Sequence, residues 1–252
     1  MNNIGWMYEN GLGINKDYSK AMEWYDKAAR LGISDATFNM GYMYENGEGV
    51  DVDYVKAMEF YQKAYKDSNM RAMNNIGWMY QKGVGVNKDQ KIAMEWYKKS
   101  ANAGYDIAFN NIGWMYQNGE GVPVDYAKAM EWYQKAAAIK NIQAMNNIAW
   151  MYEKGEGVNT DYQRAMEWYQ KAATLGSGAA MNNLGWMYQN GEGVERNFEK
   201  AFDWYQKGAD SGSIEGMNNI ALMYEQGRGV TKDIKKAAEW SKKAKESKNH
   251  TK

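Results

Sequence analysis

Met73-Asn74-Asn75-Ile76-Gly77-Trp78-Met79-Tyr80 recurs in close variants that begin at Met1, Thr37, Phe109, Met145, Met181 and Met217, each 36 residues from the next, and seven such units account for all 252 residues. A fixed period of this length marks a stacked array in which each unit is one supersecondary element unable to cover its own apolar face. Fold and function are therefore read from the unit. The expected fold class is all-α, a solenoid of seven antiparallel helix pairs. It is expected to form one domain over 1–252, with units at 1–36, 37–72, 73–108, 109–144, 145–180, 181–216 and 217–252.

Within the fifth unit, Met145, Ile148, Ala149 and Tyr152 stand at i, i+3, i+4 and i+7, one face of a helix running from about Met145 to Lys154. Ala149 is glycine in five of the seven units, which lets a partner helix approach closely. Gly155 ends the helix in the left-handed conformation, Gly157 keeps the connection tight, and Val158 turns inward. Asp161, with Asp17, Asp53, Asp89, Asp125, Asn197 and Asp233 at the same place, is the N-cap of the second helix.

That second helix, Tyr162 to Thr174, presents Tyr162, Ala165, Met166, Tyr169, Ala172 and Ala173 on one apolar face, and Gly176 closes it. Its outer face carries Glu167 and Lys171 at i, i+4, repeated as Glu23 with Lys27 and Glu131 with Lys135. In the seventh unit the core tyrosine becomes Ser241, followed by Lys242, Lys243, Lys245 and Lys248, the polar surface of a C-terminal cap. Met1 shares its repeat position with Met73, so the chain starts inside the periodic pattern, and upstream repeats or a signal peptide are expected to be missing.

Lys plus Arg and Asp plus Glu are both 31, so no global field holds nucleic acid or an anionic membrane, and nucleic acid is not an expected partner. The absence of cysteine rules out disulfides and thiolate metal sites. No signal peptide and no run of eighteen apolar residues is seen, which gives no membrane insertion and a cytoplasmic default, or a secreted or periplasmic place if the N-terminus is truncated.

The unit is quoted in full as Ile112-Gly113-Trp114-Met115-Tyr116, Gly119-Glu120-Gly121-Val122, Asp125 and Lys128-Ala129-Met130-Glu131-Trp132-Tyr133-Gln134-Lys135-Ala136-Ala137. It resembles the Sel1-like repeat over the whole chain. That resemblance implies a relative of the tetratricopeptide repeat with a longer interhelix loop, a right-handed superhelix, and use as an adaptor or scaffold in protein complexes. A shared solenoid does not fix a partner.

Enzymatic readings fail on inventory. The single histidine, His250, lies in a lysine-rich tail, and no Ser-x-x-Lys, Gly-x-Ser-x-Gly or Walker sequence is present. The β-lactamase label of some cysteine-rich relatives is not supported by these residues. Gly83-Val84-Gly85 and its equivalents read as turns and not as phosphate cradles, and Asn249-His250-Thr251 reads as a chance sequon. No catalytic residue, metal site or cofactor is expected.

Opposite the core stripe of the first helix lie an asparagine and a tryptophan series. In the arrangement that the resemblance implies, this face lines the concave groove. The candidate binding residues are Asn74, Trp78, Asn110, Trp114, Asn146, Trp150, Asn182 and Trp186. Asparagine offers donor and acceptor to an extended backbone, and tryptophan supplies apolar area plus one N–H. The expected partner is a protein or peptide segment, with a glycan as the alternative and self-association through an uncapped N-terminal unit as a further possibility. Trp24, Trp96, Trp132, Trp168, Trp204 and Trp240 of the second helix are read as inter-repeat packing, and the methionines that begin with Met7, Met43 and Met79 as core filler.

Overall fold

Fourteen helices and no strand make up the described residues 1–250 of the computed structural model. The side chains of Asn249 and His250, and Thr251, on which the sequon and the lone histidine fall, lie outside the described residues. The helices come in pairs: α1 (Asn2–Asn10) with α2 (Tyr18–Ala29), α3 (Ser34–Asn46) with α4 (Tyr54–Lys66), α5 (Met70–Lys82) with α6 (Gln90–Asn102), and α7 (Asp106–Asn118) with α8 (Tyr126–Ala138). There follow α9 (Ile142–Lys154) with α10 (Tyr162–Thr174), α11 (Gly178–Asn190) with α12 (Phe198–Asp210), and α13 (Ile214–Gln226) with α14 (Ile234–His250). By compactness the chain divides into two units, Met1–Trp132 and Tyr133–Lys252.

The local signals act as read at the second helix. Asp161 is extended, and its side chain accepts from the Arg164 amide at 3.0 Å; Asp17, Asp53, Asp125, Asn197 and Asp233 do the same one turn into their helices. The Asp161 N–H in turn donates to the Tyr152 carbonyl at 2.9 Å, and the same clip joins Asp53 to Tyr44 and Asp89 to Tyr80. Loop and cap are thus fixed together. Gly155 ends α9 at φ 73 with its N–H on the Met151 carbonyl.

The first helix of a pair starts earlier than the apolar pattern suggests, at Ile142 and not Met145. Asn69, Asn141, Ser177 and Ser213 cap it by accepting from the amide three residues on, and all four are buried. The cap changes identity between units, so the methionine-based stripe conceals the extra turn.

Packing centres on one second-helix tyrosine in each repeat but the last, which has Ser241 there. Tyr25, Tyr61, Tyr97, Tyr133, Tyr169 and Tyr205 are fully buried among alanines such as Ala21, Ala57 and Ala201. The rings of Tyr25, Tyr61, Tyr97 and Tyr205 lie against first-helix glycines: a Cβ placed on Gly77 would come 2.9 Å from the Tyr97 ring, and one on Gly185 2.6 Å from Tyr205. In the first unit the core runs through Tyr25 with Met40 and Met43, Tyr61 with Ile76 and Met79, and Tyr97 with Ile112 and Met115. In the second, Tyr205 packs with Met217, Ile220 and Met223. Six of the seven first-helix methionines, Met43 to Met223, are core; Met7 is exposed.

Two side-chain expectations are corrected. Tyr162 is exposed, because the first residue of α10 faces the following loop, where Gly193 approaches its Cβ too closely for a side chain. Lys27 and Lys171 do not pair with Glu23 and Glu167. Each lies over the indole one turn back, 4.7 Å from Trp24 and 4.0 Å from Trp168, where the ring's negative face attracts the ammonium. Of the second-helix indoles, Trp96 packs between repeats as expected, meeting Tyr65 of the preceding pair edge-on at 4.7 Å. At the C-terminal end Lys242, Lys243, Lys245 and Lys248 are exposed along α14.

The turns from the second helix to the next pair hold Gly32, Gly104, Gly176 and Gly212 at positive φ, but Ser68 (φ 59) and Lys140 (φ 64) occupy the same place in two units. A residue with a Cβ is disfavoured there by roughly 1 kcal/mol, partly offset by the greater unfolded-state freedom of glycine. Lys140→Gly is therefore expected to raise stability by about 0.5 kcal/mol in urea melts. A variant less stable than the wild type would contradict this strain assignment.

Candidate functional site

In the unit Met1–Trp132, α5, α6 and α7 enclose a cleft of about 240 Å³ lined by Trp78, Gln81, Lys82, Tyr97, Asn110, Asn111 and Trp114. Helical periodicity sets Trp78 with Gln81 and Lys82 one turn apart on α5, and Asn110 and Asn111 with Trp114 on α7. The floor is rigid. Tyr97 donates to Gln81 Oε1 at 2.7 Å, and Gln81 Nε2 donates to Glu120 Oε2 at 2.9 Å. Burial pushes the Tyr97 phenol well above its usual range, so it is a neutral hydrogen-bond donor and not a base.

Trp78 and Trp114 are half-buried and pack against the core around Tyr97, Ile112 and Met115. Only part of each indole faces the cleft. A larger depression of about 660 Å³, lined by Gly212, Met217, Lys243, Glu246 and Ser247, has no aromatic wall to hold an apolar anchor.

The asparagines are placed differently from a free ladder. Asn74 is buried, and its Oδ1 accepts from Asn111 Nδ2 at 2.9 Å; Asn39 donates likewise to Asn2 at 3.1 Å, and Asn219 to Asn182 at 2.7 Å. At these three junctions the second asparagine of one repeat thus clamps the first asparagine of the repeat before. Asn146 Nδ2 donates instead to the Ile142 carbonyl and to Ser177 Oγ, both at 3.0 Å, and its Oδ1 is buried without a partner. Asn110 borders the cleft.

In the unit Tyr133–Lys252, Trp150 (38% exposed) and Trp186 (47%) stand out from α9 and α11, with Asn182 one turn before Trp186. Lys154, one turn after Trp150, has its ammonium 2.5 Å from Glu153. Sequence reasoning missed Gln81, Lys82, Tyr97 and Asn111. Gln81 was findable as the residue sixteen before each core tyrosine, where Glu45, Glu153 and Gln189 also accept the phenol proton.

Among the described residues no cluster of three or more His, Cys, Asp or Glu could hold a metal ion, and no helix is long and apolar enough to cross a membrane.

The sequence signature of the Sel1 repeat matches residues 1–33, 34–69, 71–105, 108–141, 142–177, 178–213 and 214–249, and the chain belongs to the Sel1 repeat family. It is an all-α solenoid of seven such repeats. Sel1 repeat proteins are generally non-enzymatic scaffolds for protein–protein interaction.

Among solved structures the chain is similar to a Sel1 repeat protein from Oxalobacter formigenes, at 31% identity over 98% of this chain and 100% of that one, with a TM-score of 0.85. It is also similar to a protective antigen present in uropathogenic Escherichia coli strains and displaying an SLR fold, at 34% identity over 98% of this chain, with a TM-score of 0.75. The chain spans 53% of that antigen's length. An immunity protein from Pseudomonas aeruginosa shares the fold at 21% identity, over 85% of this chain and 81% of that one, with a TM-score of 0.62. No curated protein matches.

The two pairs of tryptophans should separate by stability. Trp114→Ala removes core packing and is expected to lower stability by about 2 kcal/mol, whereas Trp186→Ala should stay within about 0.5 kcal/mol of the wild type. Chemical denaturation of the two variants checks this, and equal losses would refute the assignment of Trp186 as a free surface residue.

Proposed function

We propose that this chain is a non-enzymatic scaffold that holds an extended, largely uncharged segment of a partner protein against the first-helix face. In the first unit the contact is the cleft between Trp78 and Trp114, with Asn110 at its edge; in the second it is Trp150 and Trp186. The observation that carries this reading is the standing exposure of Trp150 and Trp186, large apolar rings at one repeat position. Indoles supply contact area at low entropic cost, and neighbouring amides satisfy peptide groups without selecting side chains.

Binding without turnover follows from the same residues. The polar groups nearest the cleft, Tyr97, Gln81 and Glu120, are bonded to one another and hold the helices in register. Asn74, Asn146 and Asn182 are assigned to inter-repeat hydrogen bonding, and the ligand contacts rest on the indoles with Asn110 at the edge of the cleft.

A peptide array and a glycan array probed with wild type and with Trp186→Ala test the reading. Peptide binding is expected, weakened about tenfold or more in the variant, which equals about 1.4 kcal/mol. Unchanged peptide binding by a folded variant would remove the face from the contact. Glycan binding with a silent peptide array would instead establish the carbohydrate alternative.

A further inference from the structure

At several junctions between repeats a first-helix residue stands beside a loop glutamate of the next repeat, 39 residues on, whereas the equivalent loop positions hold Val84 and Arg228 at two others. Where both lie in the same unit, one junction shows the intended contact directly: Gln81 Nε2 donates to Glu120 Oε2 at 2.9 Å. At two others the helix residue is glutamate, Glu9 opposite Glu48 and Glu153 opposite Glu192. In those two loops, and not at Glu120, the carboxylate oxygen Oε2 is buried with no hydrogen-bond partner. The amide proton of glutamine is what the carboxyl pair lacks. Two ionised carboxylates facing each other repel, and a buried unpaired acceptor is destabilising by about 1–3 kcal/mol.

We propose that Glu48 and Glu192 are carried as neutral carboxylic acids that donate to the carboxylates of Glu9 and Glu153, so that one proton per pair fastens a loop to the first helix of the preceding repeat. Each pair then carries a single negative charge, the proton being taken from solvent. The neighbours decide which member holds it. Glu9 accepts from Tyr25, and Glu153 accepts from Tyr169 at 2.9 Å and from Lys154 at 2.5 Å, so both are supplied with donors as carboxylates.

Around Glu48 the other facing groups are Lys16, whose charge opposes protonation, and Tyr42, which burial keeps neutral. Around Glu192 the groups are Glu153 and Lys154. Burial first and the facing carboxylate second push both loop glutamates above their ordinary value, and Lys16 and Lys154 offset only part of this.

The pH sense follows. A group whose folded value is raised gives stability that is fully present below its unfolded value and is lost as pH rises through the folded one. The N-cap aspartates Asp17, Asp53 and Asp125 act oppositely. Their carboxyls are held low, chiefly by the backbone amide each one caps, so their contribution is lost as pH falls through those depressed values. Stability therefore peaks in the mildly acidic window between the two sets.

The test compares thermal melting of the full chain with that of Glu48→Gln, Glu192→Gln and the control Glu120→Gln. Glutamine mimics the protonated acid. Each of the first two variants is expected to melt about 2–4 °C above wild type at about pH 7.5, with the gain vanishing toward the ordinary glutamate value. Glu120→Gln is expected to show no such gain. A pH-independent difference, or a loss at about pH 7.5, overturns the proposal for that pair. Carboxyl-carbon NMR of the wild type gives a second readout that needs no variant: Glu48 and Glu192 should titrate above the ordinary glutamate value, and a midpoint at or below it refutes the shared proton.

Discussion

The interaction on which the array depends is the meeting of one buried tyrosine with one small first-helix residue, a glycine in the four pairs of Gly5, Gly41, Gly77 and Gly185. The ring fills the space that a side chain on Gly5, Gly41, Gly77 or Gly185 would occupy, which brings the two helices close enough for alanines to complete the contact. The phenol then reaches back sixteen residues to a glutamate or glutamine at the end of the first helix, as from Tyr61 to Glu45 and from Tyr97 to Gln81. One side chain thus supplies apolar burial, fixes the distance between helices and sets their axial register. Helices of thirteen residues are too short to persist alone in water, so this tertiary contact is what makes them helical.

The period and the composition of the unit made most of this legible. Asp161 as cap, Gly155 as stop and Tyr169 as core were readable because each follows from a local rule that applies to one residue type. The first turn of the first helix was not, because its cap is Asn69 in one repeat and Ser177 in another, and the repeated apolar stripe begins one turn later. The fate of the asparagines was hidden for a different reason. A helical wheel places Asn74 and Asn111 on one side of their own helices, but it carries no information on the distance between residues 37 apart in sequence, and that distance turns out to be a hydrogen bond. The same limit applied to Lys171, where the charge rule named Glu167 and the geometry favoured the indole of Trp168.

The amide clamp changes what remains for a partner. With Asn74, Asn111, Asn182 and Asn219 holding neighbouring repeats together, several amides of the first-helix face are engaged between repeats, while the indoles of Trp150 and Trp186 remain exposed. A surface of that kind gains affinity from contact area and shape more than from charge, in keeping with a chain whose acidic and basic residues balance. Its selectivity would then lie where repeats differ from one another. Phe38 stacks on Tyr61 with Arg71 over its ring, Tyr42 replaces the indole of its repeat, and Leu222 does so in the last. These departures break the repetition and give each stretch of the face its own outline.

Repetition also makes the chain its own control. Ala149 stands where five repeats have glycine, yet Tyr169 remains fully buried and keeps its bond to Glu153 at 2.9 Å, so the ring can yield to one methyl group without losing its partner. In the last repeat Ala221 faces a position where tyrosine has become Ser241, and the constraint that required a bare backbone is gone. Glycine at this place is therefore a response to the aromatic ring opposite and not a requirement of the helix itself. The buried phenol sets the geometry, and the first helix adapts to it.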